Sequence, residues 1–323
     1  MGNFRVMNHA NGSAAPVFIH VDVDDLWAIA ECYGLRAAEE YAHAVSEDAL
    51  PRLRRLFAGR GIHATFFVVG KDLDNPLYVK NMRDLLSDGH ALANHSFSHR
   101  LDFRAICKEA MRDQILRCHD KVQDLLSYKM QGFRAPGYAW SRPLLEVLGE
   151  LEYAYDASLM PSPWGFVFRW MDRRLQRQAV KLQGRSAGHV GGAGETKTQY
   201  PLFTDTFNPL RPRRVETASG RSILQLTSAT APQLRLPFQA GVCMRLGYAY
   251  FENFALDMVW RRRHPFVFLF HAADLADLSR VPIPFFQKSK FFNMPIQERE
   301  KLADQFLQFI CEWRQVVTTE EWL

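Results

Sequence analysis

The feature that most constrains this chain is a rhythm of extended and helical segments. Residues 16–23 read as a β-strand, and residues 38–58 carry Tyr41, Val45, Leu50, Leu53 and Leu56 at helical spacing, ending at Gly59 and Gly61. The alternation then repeats. ATFFVVG (64–70) reads as a strand, NPLYVKNMRDLLSDG (75–89) as a helix closed by Gly89, and HALANHS (90–96) as a short strand. A long helix is expected over 103–127, another over 142–151 and a strand at YAYDAS (153–158). At least four βα units in succession predict parallel strands with helices outside, as a barrel or an open sheet. From about residue 160 to 240 the rhythm fails. Seven prolines, Pro161, Pro163, Pro201, Pro209, Pro212, Pro232 and Pro237, punctuate a stretch that also holds GRSAGHVGGAG. It returns with a helix at 247–263, the apolar strand PFVFLFH (265–271) and a closing helix over 296–317. Both ends therefore feed one core, and the expectation is a single domain over 1–323 with an inserted loop region at about 160–235.

Composition narrows the functional classes. An apolar share of 47% is sufficient for a buried core, and a net charge of +5 favours anionic ligands or membrane surfaces without requiring nucleic acid. No nucleic-acid signature accompanies that charge, so no nucleic-acid partner is expected, and no protein partner is predicted. The five cysteines, Cys32, Cys107, Cys118, Cys243 and Cys311, are odd in number and never form a C-x-x-C pair, which argues against a disulfide framework and a thiolate metal site. The first sixteen residues lack the apolar run of a secretory signal. No segment reaches the roughly 18 uncharged apolar residues of a membrane span. The expectation is a cytoplasmic protein, soluble or peripheral at the inner face of the membrane.

Four strand ends carry ligand-type residues, and in parallel α/β folds that is the face on which active sites are built. In DVDD, Asp22 and Asp24 are two apart on an extended segment and share a face, so one can bind a metal while the other acts as a base. Asp25 follows directly, which leaves Asp24 and Asp25 as an alternative pair, and either residue also reads as a helix cap. In HSFSH, His95 and His99 are four apart and would share a face if the segment turns helical. Two imidazoles and one carboxylate make an open three-ligand site for Zn²⁺ or a similar ion. In GFRAPGY (132–138), Arg134 can fix a nearby carboxylate and lower its pKa while turn N–H groups face an oxyanion; a plain βα turn is the other reading. His271 ends the PFVFLFH strand, where a general acid, or a satisfied core histidine, would sit. The other eight histidines, His20 among them, read as structural, WRRRH (260–264) as a solvated helix end, and GHVGGAGETKT lacks the G-K-[ST] of a phosphate loop.

In that order, DVDD, HATFFVVG, GHALANHSFSH, GFRAPGY, YDAS and FLFHA resemble the polysaccharide deacetylase (NodB-like) family, from residue 16 to about 160 and again from 235 onward. The resemblance implies a distorted (β/α) barrel and hydrolysis of an acetyl or formyl amide on an amino sugar. It implies Asp24, His95 and His99 as ligands of one divalent metal, zinc first, with Co²⁺, Ni²⁺, Mn²⁺ and Fe²⁺ as alternatives. It makes Asp22 the base, Arg134 its partner, Pro136, Gly137 and Tyr138 the oxyanion turn, and His271 the acid. The family's fourth motif is poorly kept, which leaves Asp156 or Asp274 to tune His271. The expected substrate is an acylated amino sugar, lipid-linked and intracellular. Basic-aromatic pieces such as RWMDRRLQRQAVK and FFQKSKFF agree with membrane contact. A small non-sugar amide hydrolase and a non-catalytic glycan binder are the alternatives.

Overall fold

The computed structural model describes residues 15–32, 35–165, 167, 170, 174, 201–231, 234–261, 264–283 and 291–323. Strand β1 (Val17–Asp22) is buried throughout and leads through helix α1 (Leu26–Cys32) to α2 (Ala44–Ala58). The alternation continues with β2 (Thr65–Val68), α3 (Pro76–Ser87), β3 (Ala91–Asn94), α4 (Lys108–Leu126), β4 (Gly132–Phe133), α5 (Arg142–Glu150) and β5 (Tyr155–Leu159). Beyond these lie β6 (Arg213–Glu216), β7 (Ser222–Thr227), α6 (Ala240–Leu246), α7 (Tyr248–Arg261), β8 (Phe266–His271), α8 (Ile296–Trp313) and the short α9 (Thr319–Trp322).

The strands form one sheet in the order β6-β7-β5-β4-β3-β2-β1-β8, parallel except for β6. The sheet curls until residues after β7 reach β8, through bridges Ser228–Val267 and Gln239–Leu269. This is the expected distorted (β/α) barrel. Alternation along β1 sorts the core. Val17, Ile19 and Val21 join the apolar layer beneath the helices, while Phe18 packs with Phe67, Tyr155 and Leu226 in a separate cluster inside the curl. His20 and Asp22 share the face of Phe18. At β4 a Cβ on Gly132 would fall 1.8 Å from the Tyr155 ring, so only glycine lets the two strands pair there.

Three local expectations change. The helix read over 103–127 begins only at Lys108. Strands β6 and β7 occupy part of the stretch read as irregular. Ile223, Leu224 and Leu226 of β7 are buried against β5 and α5, a short apolar run overshadowed by the surrounding prolines. The helix expected at 247–263 is preceded by α6, the two separated at Gly247, whose φ of 87° is left-handed. The stretches GHVGGAGETKT and most of RWMDRRLQRQAVK and FFQKSKFF lie outside the described residues. Among the described residues no helix is long and apolar enough to cross a membrane.

Candidate active site

Register brings the predicted residues to one end of the barrel. Asp22 closes β1 and pairs with His271, which closes β8, so their side chains leave the sheet on one face. Asp24 lies two residues beyond Asp22, His95 follows β3 directly and Arg134 follows β4 directly. Five residues from four parallel strands thus meet at the carboxyl ends, the position expected for a site in this architecture.

The histidine pair forms without a helix. Residues 95–99 are a turn with Ser96 at φ 67° and His99 at φ 50°, left-handed values that only local compensation sustains. That compensation is supplied by side chains. The Ser96 N–H donates to Asn94 Oδ1 (2.9 Å), the His99 N–H to Ser96 Oγ (3.1 Å), and the Ser98 N–H and hydroxyl both to Gln114 Oε1 (3.0 and 2.9 Å). Gly70 and Lys71 donate to the carbonyls of Ser96 and Phe97, which pins the turn to the end of β2. The turn, rather than i,i+4 helical spacing, converges the two imidazoles.

His99 Nε2 lies 3.1 Å and His95 Nε2 3.3 Å from Asp24 Oδ1. That oxygen is buried and has no hydrogen-bond partner. His95 Nδ1–H donates to the Arg134 carbonyl at 2.8 Å, which fixes the tautomer and leaves Nε2 with a free lone pair. Burial acts to raise the Asp24 pKa, but His99 and His95 outweigh it and hold the carboxyl well below its usual range. Burial likewise acts to lower His95, and Asp22 and Asp24 reverse the effect and raise it. An orphaned carboxylate oxygen facing two imidazole nitrogens is the donor set of an open divalent-metal site, and these three residues fit such an ion.

Beside it, Asp22 Oδ1 accepts from Arg134 Nη1 at 2.5 Å, with both side chains almost fully buried. The other Asp22 oxygen lies 3.9 Å from His271 Nε2. Arg134 also donates from Nε to the Ala157 carbonyl (3.0 Å), and its guanidinium lies over the Phe67 ring at 4.1 Å. In the following turn Gly137 and Tyr138 have φ of 63° and 57°. The Tyr138 N–H donates to Ala135 (3.2 Å) and its hydroxyl to Gln239 Oε1 (2.8 Å), so the ring is held at the site edge, where burial pushes its phenol far up.

Asp25 takes no part in either group. Its Oδ1 accepts from the backbone N–H groups of Leu26, Val45 and Ser46, and its Oδ2 from Ser46 Oγ (2.5 Å) and His43 Nδ1 (3.1 Å). With Asp72 and His43 it forms a second acidic–histidine cluster. Of the two residues considered for tuning His271, Asp156 bonds Ser158 and Gln225 instead. Asp274 Oδ2 accepts from the His271 backbone N–H at 2.9 Å. Sequence reasoning also missed His20, which the structure places against Arg134. A lone histidine on a strand offers no local signal for that contact.

A family model described as polysaccharide deacetylase matches residues 40–155, a stretch that holds His95, His99, Arg134 and the Pro136–Tyr138 turn. Asp22, Asp24 and His271 lie outside it and reach the site through the fold. Among solved structures the chain is similar to one described as a polysaccharide deacetylase from Mycobacterium smegmatis, at 14% identity over 99% of this chain and 92% of that one, with a TM-score of 0.60. A second, from Pseudomonas aeruginosa PAO1 and described likewise, aligns at 11% identity over 96% and 89%, with a TM-score of 0.59. The structure of Puue allantoinase aligns at 10% identity over 96% and 89%, with a TM-score of 0.60. At these identities the likeness is one of fold. No curated protein matches the sequence. The resemblance to the polysaccharide deacetylase family thus holds in sequence over the matched stretch and in fold over nearly the whole chain.

Proposed function

We propose that this chain is a metal-dependent carbohydrate N-deacylase that removes an acetyl or formyl group from an amino sugar. One observation carries the reading: the Asp22–Arg134 pair, with His271 Nε2 3.9 Å from Asp22 Oδ2, stands beside the Asp24, His95 and His99 group. Asp24, His95 and His99 would hold a divalent ion, zinc first among the candidates, whose chemistry when bound would be to polarise the carbonyl and acidify a water. Asp22 accepts the proton of the attacking water, its carboxylate aimed by Arg134. The Gly137 N–H is the turn's candidate donor to the developing oxyanion, because Pro136 has no N–H and that of Tyr138 is engaged. His271 Nε2 delivers a proton to the leaving nitrogen, and a carboxylate and a free amine depart.

For the carrier we propose a lipid-linked amino sugar met at the inner face of the membrane. Phe203 and Phe207, 60% and 77% exposed, pack edge to face on a short 3-10 helix. Asp205 of that helix accepts from Trp140 Nε1 at 2.9 Å, which ties the helix that carries the exposed aromatics to the segment following the Gly137 turn. The likeness in fold to an allantoinase makes a small amide the second reading. The test is acyl release by purified protein from a lipid-linked N-acylamino sugar, the matching nucleotide sugar, a chitin oligomer and a small cyclic amide. Fastest release from the lipid-linked sugar is expected. Faster release from chitin would overturn the carrier, and turnover of the small amide alone would overturn the sugar.

A further inference from the structure

The inward face of β1 carries more than the reaction uses. From the closed end of the barrel upward it presents Phe18, His20 and Asp22, and each meets a residue from elsewhere in the chain. Phe18 packs against Trp322 with ring centroids 5.4 Å apart. His20 Nε2 lies 2.8 Å from Thr319 Oγ1, and His20 Nδ1 2.7 Å from Arg134 Nη2. We propose that His20 and Thr319 are positioning residues for Asp22, so that the C-terminal segment sets the Arg134 guanidinium, and through it the base, by way of a neutral imidazole.

The direction of each bond in this chain is fixed by chemistry. A guanidinium can only donate, so Arg134 Nη2 gives its hydrogen to His20 Nδ1, which must hold a lone pair. The imidazole proton then resides on Nε2 and is donated to Thr319 Oγ1. An imidazolium would set a second positive group against Arg134 among fully buried side chains, and burial together with Arg134 pushes the His20 pKa well below its ordinary value. Arg134 is 1% exposed and His20 and Thr319 are fully buried, so no solvent replaces a lost partner.

Thr319 is itself held firmly. Its N–H reaches Thr65 Oγ1 of β2 at 3.4 Å, and the adjacent Glu320 accepts from Thr65 Oγ1 (2.9 Å) and from the Tyr155 hydroxyl of β5 (2.6 Å). Thr318 and Glu321 bond each other's backbone N–H in a capping box. Residues 318–322 therefore close the barrel against β1, β2 and β5. Arg134 is fixed at three of its nitrogens, by Ala157, Asp22 and His20. Removing the His20 acceptor leaves one buried N–H unsatisfied and frees the guanidinium to rotate away from the carboxylate.

This inference rests on Asp22 as base, and its tests separate the two. In the metal-loaded protein with ¹⁵N-labelled histidine, His20 is expected as the neutral tautomer with an unprotonated Nδ1 and a protonated Nε2; a protonated Nδ1 overturns the inference. In kinetics, Thr319→Val and His20→Phe are expected to lower kcat roughly tenfold or more at unchanged metal content. Their KM should stay within about twofold, because the substrate touches neither residue. Thr319→Ser, which keeps the hydroxyl, and His20→Asn, which returns an acceptor at the δ position, should recover most of the loss. Wild-type kcat in folded Thr319→Val and His20→Phe, or equal losses in Thr319→Val and Thr319→Ser, overturns it. Turnover retained by Asp22→Asn refutes the base itself; an inactive Asp22→Asn beside an unaffected His20→Phe refutes only the relay.

Discussion

Two neighbouring carboxylates have opposite fates. Asp24 and Asp25 each sit in a cluster with histidine, Asp24 with His95 and His99, Asp25 with His43 and Asp72. Asp24 Oδ1 faces two imidazole nitrogens and has no hydrogen-bond partner. Asp25 accepts from three backbone N–H groups, a serine hydroxyl and a histidine. The difference lies in what the carboxylate meets: an unmet oxygen between imidazoles is poised for a cation, whereas a saturated one ties α1 to the start of α2. A cluster of acids and histidines therefore indicates a metal only where the unmet oxygen is the one the imidazole nitrogens face, as at Asp24; in the second cluster His43 approaches Asp72 Oδ1, which Trp27 already occupies.

The contrast is sharpest in the histidines. On the proposed reading, His99→Ala or His95→Ala should lower turnover on the order of a thousandfold, because each would remove a ligand of the proposed ion. His43→Ala, in the second cluster, should leave kcat/KM within a few-fold in the same assay. A thousandfold loss in His43→Ala would erase the distinction between the clusters. Next in size is a stability effect. Asp25→Ala strands three buried N–H groups and should cost about 3 kcal/mol in urea unfolding, since bonds to a carboxylate are among the stronger ones. A loss near zero would mean that water takes over those donors.

The smallest effect concerns Asp72, which accepts from Trp27 Nε1 at 2.5 Å and leaves its Oδ2 buried and unpartnered. Burial, aided by the charge of Asp25, pushes its pKa up to about 8. The folded state thus holds this proton more tightly than the unfolded chain. The stability gained is complete below the unfolded value of 3.8 and is lost as pH rises through about 8. Asp72→Asn keeps the acceptor for Trp27 and removes the titration, so its melting temperature should fall less than that of the wild type between pH 5 and pH 8. Parallel curves for the two proteins would place the buried proton elsewhere.

The sequence carried the parallel βα order and the residues of the site because both depend on short-range pattern. Strand ends recur after each apolar run, and Asp22, Asp24, His95, Arg134 and His271 all stand at one. The pairing of His95 with His99 was legible in their spacing, but the expected helical face was not what brings them together. Left-handed Ser96 and His99 depend on Asn94 and Gln114, the latter on α4, and no local propensity encodes that turn. Strand β7 hid among prolines for a related reason: its partner β5 lies more than sixty residues earlier, so its burial is a tertiary fact. The fate of Asp25 is set by His43, Val45 and Ser46, 18 to 21 residues on, and the contact of His20 with Thr319, 299 residues away, is fixed only when the chain closes.

The most direct test is elemental analysis of four purified proteins: wild type, Asp22→Asn, Asp24→Asn and Asp25→Asn. One divalent ion per chain is expected in the wild type, Asp22→Asn and Asp25→Asn, and its loss in Asp24→Asn alone. Metal retained in Asp24→Asn and lost in Asp22→Asn or Asp25→Asn would contradict the division of labour among the three carboxylates.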